Sequence, residues 1–228
     1  MKAIIYFMSL IKMSVPIEQI VKSRKNVIDQ FEEQGYDVSK YRDFSNHEVS
    51  VMDEHDEMDM IFEHNITKNK VYVCYFLNKQ LPFYSRFKNI DEIIEEIFKD
   101  EDNNHFTNNP FTKEDTLYII KKDDPNSIMN DKLKDIWERD GIFVIVQSIK
   151  RLQYNIMKLE TVPYQRVITD EEKTELIKQI TDVSYLPEIS RFDPVAKVLC
   201  LRPGMISVSE RPSKTAIIEK YYRLCMNI

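Results

Sequence analysis

Apolar residues recur along this chain with two periods. Where they fall three and four residues apart, a helix with one buried face is expected; where they alternate or run together in short blocks, a strand is expected. Ser14, Val15 and Pro16 lead into the first helical stretch, where Ile17, Ile20, Val21, Val27, Ile28 and Phe31 share a face and Gly35 ends the run. Arg24 falls on that face, with a stem long enough to carry its guanidinium to an exposed rim. From Tyr41 to Asp59 the chain is polar and acidic and predicts a solvated loop. Two apolar blocks, Met58 to Ile66 and Val71 to Leu77, flank a polar Thr67–Lys70 turn and predict a β-hairpin. Asn89 and Glu92 have the spacing of a capping box, ahead of Ile90, Ile93, Ile94, Ile97 and Phe98 at helical intervals.

A loop rich in Asp and Asn, from Asp100 to Thr112, precedes a strand from Thr116 to Ile120 that ends at Lys121 and Lys122. The turn from Asp123 to Ser127 opens a helix in which Met129, Leu133, Ile136 and Trp137 align and which Gly141 stops. Ile142 to Val146 is apolar on both faces and reads as a central strand. The order of elements predicts, for residues 1–150, an α/β domain: a small sheet of about four strands with packed helices. Lys150 to Pro163 reads as a bridge into a second, small α+β domain over residues 151–228. There Thr169 and Glu172 form another capping box, with Leu176, Ile177 and Ile180 as the buried side of its helix. Asp193 caps a helical turn starting at Pro194, and Pro203 and Gly204 suit the central positions of a type II turn. Met205 to Ser209 alternates, Ile206 and Val208 facing one way and Ser207 and Ser209 the other, and Tyr221 to Met226 sets Tyr222, Leu224 and Met226 on one face. The core of such a unit is thin, so docking on a larger partner would stabilise it.

Composition narrows the functions open to the chain. With 43% apolar and 31% charged residues it can fill a core, and its net charge of −6 argues against nucleic-acid binding through a broad basic face. Any DNA contact should be local and weak. The three cysteines, Cys74, Cys200 and Cys225, contain no C-x-x-C pair and are expected to be buried, reduced thiols. His47, His55, His64 and His105 form no H-E-x-x-H pattern. The run Asp53, Glu54, His55, Asp56, Glu57 has ligand-type side chains, but consecutive side chains cannot converge on one ion. Neither a metal nor a cofactor is expected. The apolar stretch from Ala3 to Ile11 is too short to span a bilayer and is expected to pack on the fold or on a partner.

The last third carries a more specific signal. VITDEEKTELI (Val167 to Ile177), Leu186-Pro187, DPVAK (Asp193 to Lys197), the turn at Gly204, ERPSKTA (Glu210 to Ala216) and YYRLCM (Tyr221 to Met226) follow one another at compatible spacing. Together they resemble the fifth subunit of eukaryotic-type DNA-directed RNA polymerases, whose assembly domain is shared with an archaeal counterpart. Asn155-Ile156 and Val162-Pro163 resemble the lead-in to that domain. The N-terminal part resembles the jaw domain of the eukaryotic subunit in its order of elements, in Arg24-Lys25 and in Gly35-Tyr36. Lys214 and Ile217-Ile218-Glu219-Lys220 depart from the family's pattern after the arginine-proline-serine motif. The glycine-poor composition and the RPG and ERPSKTA wording look closer to the divergent copies in large DNA viruses.

The resemblance implies a non-catalytic polymerase subunit that docks on the largest subunit through its C-terminal domain, without forming a homo-oligomer or binding a membrane. The residues it marks for partner binding are Pro187, Asp193, Pro194, Arg202, Gly204, Arg211, Pro212, Ser213 and Arg223, with the Arg211-Pro212-Ser213 motif expected in a loop. It implies a jaw beside the downstream duplex, with Lys121, Lys122, Pro125, Asn126 and Ser127 as possible DNA contacts. It also implies work wherever the polymerase works: the nucleus for a cellular copy, the virion and cytoplasmic factory for a viral one. Two rival functions come from other classes. A nuclease-like enzyme would use Asp59 on the first hairpin strand, yet Val71 to Leu77 contains no carboxylate to complete its site. A free adaptor would use the same C-terminal surface on another protein.

Overall fold

The computed structural model describes residues 15–55, 57–77, 90–99, 111–180, 182–214 and 217–228. The chain separates into two compact units: residues up to Met129 together with Ile136–Tyr154, and Asn130–Asp135 together with Asn155–Ile228. Each carries one mixed sheet with helices. The apolar segment from Ala3 to Ile11 and the capping residue Asn89 lie outside the described residues.

In the first unit helix α1 (Ile17–Glu33) starts after Pro16, and the chain leaves it through Gly35 at φ +90°, a conformation that needs glycine. Its buried face presents Phe31, whose ring meets Phe62 at 5.2 Å and Tyr118 edge-on at 5.8 Å, and so anchors the helix on the sheet. The sheet has the order β1 (Tyr36–Asp37), β2 (Met60–His64), β3 (Lys70–Phe76), β4 (Thr116–Lys121), β5 (Phe143–Ser148), which is five strands rather than about four. The expected hairpin is β2 with β3, in register from Met60 opposite Val73 to Glu63 opposite Lys70, while β3, β4 and β5 run parallel. β5 pairs only with β4, so it is an edge strand among the described residues and not the central one expected. All six of its residues are nevertheless buried. The turn Arg151–Gln153 that follows it carries the fully buried Leu152 and ties back to α1 through Asn26 Nδ2 donating to Leu152 O at 2.7 Å.

Two expectations in this unit fail for identifiable reasons. The acidic stretch is not a loop: helices α2 (Ser39–Arg42) and α3 (Asn46–Glu54) occupy it. α3 is set by a capping box in which Glu48 N donates to Ser45 Oγ and Ser45 N donates to Glu48 Oε2, and Val49 is its buried residue. Arg24 does not reach a rim. It is 2% exposed, its Nη1 donates to Met58 O at 2.9 Å, and its guanidinium lies 5.9 and 5.6 Å from the rings of Tyr41 and Phe44. The residues that bury it come from the stretch expected to be solvated. Burial depresses its pKa, and Nε and Nη2 find no hydrogen-bond partner among the described residues.

Helix α4 (Ile90–Ile94) continues as a π-helical turn over Glu95–Lys99, burying Ile93, Ile94 and Ile97. Helix α5 (Ser127–Asp140) is capped by Asn126, which accepts Met129 N–H at 2.9 Å, and is stopped by Gly141 at φ +70°. Its residues Asn130–Asp135 group with the second unit.

The second unit has the sheet order β6 (Gln165–Val167), β8 (Ile206–Ser213), β9 (Ile217–Met226), β7 (Glu188–Ser190). β9 runs antiparallel to β8 and parallel to β7. Helix α6 (Asp170–Gln179) starts at the expected Thr169–Glu172 box; Leu176 is buried, but Ile177 is 47% exposed and not part of a buried side. Helix α7 (Pro194–Val198) begins at Asp193, whose Oδ1 accepts Val195 N–H at 2.8 Å. One cluster of its core joins Ile189, Ala196, Leu201 and Cys225, with Val167 and Leu199 against it, and Val198, Ile206 and Val208 are buried as well. Ser207 and Ser209 are as buried as Ile206 and Val208, so this part of β8 is covered on both faces.

Asp115 holds the entrance to the parallel strands. Its carboxylate accepts Lys70 N–H at 2.6 Å from β3 and Thr112 N–H at 2.6 Å ahead of β4, and the residue is 3% exposed. Asp115→Ala strands the buried Lys70 N–H and frees the partly buried Thr112 N–H, and should cost about 1–3 kcal/mol, read as a lower denaturant midpoint; an unchanged midpoint would contradict the clamp.

Candidate functional site

The hairpin of β8 and β9 organises the C-terminal surface. Register runs from Ile206 opposite Leu224 to Ser213 opposite Ile217. Residues directly opposite share a face, so Ser207, Ser209, Arg211, Glu219, Tyr221, Arg223 and Cys225 lie on one side of the sheet. At one end of this face Cys225 enters the core, where burial pushes its thiol up to about 12 and leaves it a packing group, not a nucleophile. At the other end the face opens to solvent. There the guanidinium of Arg211 lies 4.5 Å, and that of Arg223 5.3 Å, from the centre of the Tyr221 ring. Arg223 Nε is buried without a hydrogen-bond partner among the described residues.

The Arg211-Pro212-Ser213 motif lies in β8 and not in a loop. The pairing explains how a proline fits. Ile168 N–H donates to Ile206 O and Glu210 N–H donates to Tyr164 O, so even-numbered residues of β8 point their backbone groups away from β9. Pro212 shares that parity, and its missing N–H falls on the outer edge, where no ladder bond is lost. Arg211 and Pro212 are exposed; beyond them Ile217 and Ile218 are 84% and 60% exposed, and Ile217 has φ +60°, which is unusual for a β-branched residue.

The other residues marked for partner binding shape turns at the opposite end of β9. Pro187 O accepts Leu224 N–H at 2.9 Å, and Gly204 N–H donates to Cys225 O at 2.8 Å. Gly204 has φ +86° in a turn closed by Met205 N–H to Arg202 O at 3.0 Å. Asp193 and Pro194 start α7. The structure therefore divides the predicted set: Pro187, Asp193, Pro194, Arg202 and Gly204 at one end, Arg211, Pro212 and Ser213 at the other, with Arg223 linked to Arg211 through Tyr221. Tyr221 was missed as a site residue. Its signal was the two-residue step to Arg223 within YYRLCM, which puts both on one face of a strand.

On the opposite face Arg166 of β6 grips Glu172 of α6 with two hydrogen bonds of 2.6 Å. Glu172 also accepts Thr169 N–H, and the Arg166 guanidinium with this amide holds its carboxyl down at about 2.

The second candidate surface lies in the first unit, at the ends of two parallel strands. Lys121 closes β4, and Lys121 O accepts Ile149 N–H at 2.7 Å, which places the residues after β5 beside those after β4. Lys150 thereby reaches Asp123 at 2.9 Å and Arg151 reaches Asp124 at 2.7 Å. The Lys150 ammonium lowers the pKa of Asp123. Lys121, Lys122, Lys150 and Arg151 together outnumber Asp123 and Asp124, so the acidic pair in this turn is compensated. Lys150 and Arg151 were missed, although parallel neighbours must bring the residues that follow them to one end. Asn126 is engaged as the α5 cap, and Ser127 is the first helical residue.

Asp59 accepts Tyr72 O–H at 2.6 Å just before β2, and β3 holds no carboxylate beside it. Among the described residues, no three His, Cys, Asp or Glu side chains gather to hold a metal ion, and no helix is long and apolar enough to cross a membrane.

Comparison with known proteins follows the same division. A family model described as RNA polymerase Rpb5, C-terminal domain, matches residues 154–225. The DNA-directed RNA polymerase subunit Rpo5 of Thermococcus onnurineus is 37% identical over 73 residues, 32% of this chain and 89% of that protein. Subunit RPABC1 of DNA-directed RNA polymerases I, II and III from Caenorhabditis elegans is 44% identical over 75 residues, 32% of this chain and 35% of that protein. The counterpart from Dictyostelium discoideum is 29% identical over 154 residues, 49% of this chain and 78% of that protein, a match too long to stay within the second unit.

The Arg166–Glu172 pair gives a pH dependence with a definite sign. Glu172 has a folded pKa of about 2 against an ordinary 4.5, so its stabilising contribution is present above about 4.5 and is lost as pH falls toward 2. The melting temperature of wild type should exceed that of Glu172→Gln at pH 7, and the difference should vanish by about pH 2; a constant difference would rule out this linkage.

Proposed function

Since the chain belongs to the family of the fifth subunit of DNA-directed RNA polymerases, we propose that it is a non-catalytic structural subunit of such an enzyme. In this reading the second unit docks on the largest subunit, and the first unit forms part of a jaw beside the downstream duplex. The observation that carries the docking half is the outer end of the β8–β9 hairpin. There Ile217 and Ile218 stand in solvent next to the exposed Arg211 and Pro212. Exposed apolar side chains rimmed by charge mark protein-binding surfaces, and Arg is the charged residue most favoured at their centres.

The jaw half is supported by the cationic group at the ends of β4 and β5. Lysine and arginine side chains on an exposed strand-to-helix turn suit phosphate contacts, which position a duplex without reading its sequence. The net charge of −6 keeps such a contact local and salt-sensitive. The chain acts where its polymerase works, in a nucleus for a cellular enzyme or in a virion and cytoplasmic factory for a viral one.

Affinity purification of the tagged full chain should recover the two large polymerase subunits, and Arg211→Ala with Pro212→Ala should reduce that recovery several-fold while the free protein still melts cooperatively. Absence of both large subunits from the wild-type eluate would overturn the assignment. In the recovered complex, Lys121→Glu with Lys122→Glu should lower crosslinking to a downstream duplex and flatten its salt dependence by about two phosphate contacts. Unchanged crosslinking would remove the DNA half and leave the docking half standing.

A further inference from the structure

We propose that the outer edge of β9, from Ile218 to Tyr222, receives an extended acidic segment of a large polymerase subunit, and that two of its carboxylates, two residues apart, meet Arg211 and Arg223 beside Tyr221. The inference rests on the docking reading above and names the chemistry of the partner.

Backbone geometry supplies the first support. Leu224 N–H donates to Pro187 O and Met226 O accepts Arg191 N–H, so even-numbered residues of β9 face β7. β7 runs parallel to β9 and begins only opposite Leu224, pairing Leu224 to Met226. The backbone groups of Ile218, Lys220 and Tyr222 share the same edge and have no strand beside them among the described residues. An open edge of alternating donors and acceptors is a template for strand addition. The far edge of β8 is closed to this, because Glu210 N–H already binds Tyr164 O and Pro212 has no N–H.

Charge supplies the second. In the segment Arg211–Arg223 four basic residues, Arg211, Lys214, Lys220 and Arg223, stand against one carboxylate, Glu219, and Arg211 and Arg223 share its side of the sheet. Neither Arg211 nor Arg223 has an ion-pair partner among the described residues, and Arg223 Nε is buried with its donor unused. Both guanidiniums lie within 5.3 Å of one ring centre. Side chains two apart on an added strand stand roughly 7 Å from each other on one face, a spacing that suits this pair. Glu219, opposite Arg211, would repel a third carboxylate and so sets the acidic pair toward Arg223. A phosphate backbone could satisfy the charge but not the strand edge, which favours a peptide over nucleic acid.

The test uses the full chain, its Arg211→Gln/Arg223→Gln variant, and Lys220→Pro, which blocks the β9 edge as Pro212 blocks that of β8. Purified protein is titrated with peptides tiled across the large subunits recovered by the wild type. The tightest peptides should carry two acidic residues two positions apart, and binding should fall at least tenfold on their change to Asn or Gln and in either variant, both variants keeping the wild-type melting profile. Equal binding of neutralised peptides, or duplex DNA displacing the peptide from Arg211 and Arg223, would overturn the proposal. If the wild type recovers the large subunits and both variants recover them equally well, this inference fails and the docking reading stands; if the wild type recovers none, both fail.

Discussion

The antiparallel pairing of β8 with β9 is the constraint on which the second unit depends. A register that runs unbroken from Ile206–Leu224 to Ser213–Ile217 decides which side chains enter the core and which meet solvent. A slip of one residue would turn Cys225 out of the cluster with Ile189, Ala196 and Leu201 and bring Leu224 or Met226 to its place. The same pairing fixes backbone parity. It lets Pro212 sit in a strand at no cost to the ladder, closes the outer edge of β8 and leaves that of β9 open. Shape and binding chemistry in this unit therefore follow from one set of hydrogen bonds, and the prolines and glycine at Pro187, Pro194 and Gly204 hold the ends of that set in place.

In the first unit the corresponding constraint is the parallel run of β3, β4 and β5. Parallel strands deliver the residues that follow them to one end of the sheet, which is how Lys150 and Arg151 come to neutralise Asp123 and Asp124 next to Lys121 and Lys122. Exposed ion pairs of this kind contribute little to stability. Their consequence here is electrostatic: they turn a segment of mixed sign into a locally cationic one on an acidic chain.

Much of the fold was legible in the sequence where local rules act alone. The Thr169–Glu172 box, the Asp193-Pro194 cap, the turn at Gly204, the helix start after the Asp123–Ser127 turn and the β2–β3 hairpin depend on residues close in sequence, and each stands where spacing put it. The Ser45–Glu48 box was equally local and was missed because the acidic composition of Tyr41 to Asp59 outweighed its spacing. What could not be read depends on distant partners. Arg24 is buried because Met58, Tyr41 and Phe44 close over it, and the edge position of β5 depends on sheet order, which periodicity does not encode. Of the candidate site, the Arg211 and Arg223 positions came from family resemblance, whereas their link through Tyr221 needed the register.

The β8–β9 hairpin is proposed as the place where the chain joins a polymerase. Replacing Ile218, 60% exposed on β9, by a photoreactive benzoylphenylalanine in the tagged full chain and irradiating before lysis tests it directly. One dominant crosslinked product containing a large subunit of an RNA polymerase is expected. Recovery of that subunit without any crosslink at position 218, or a dominant crosslink to an unrelated protein, would contradict it.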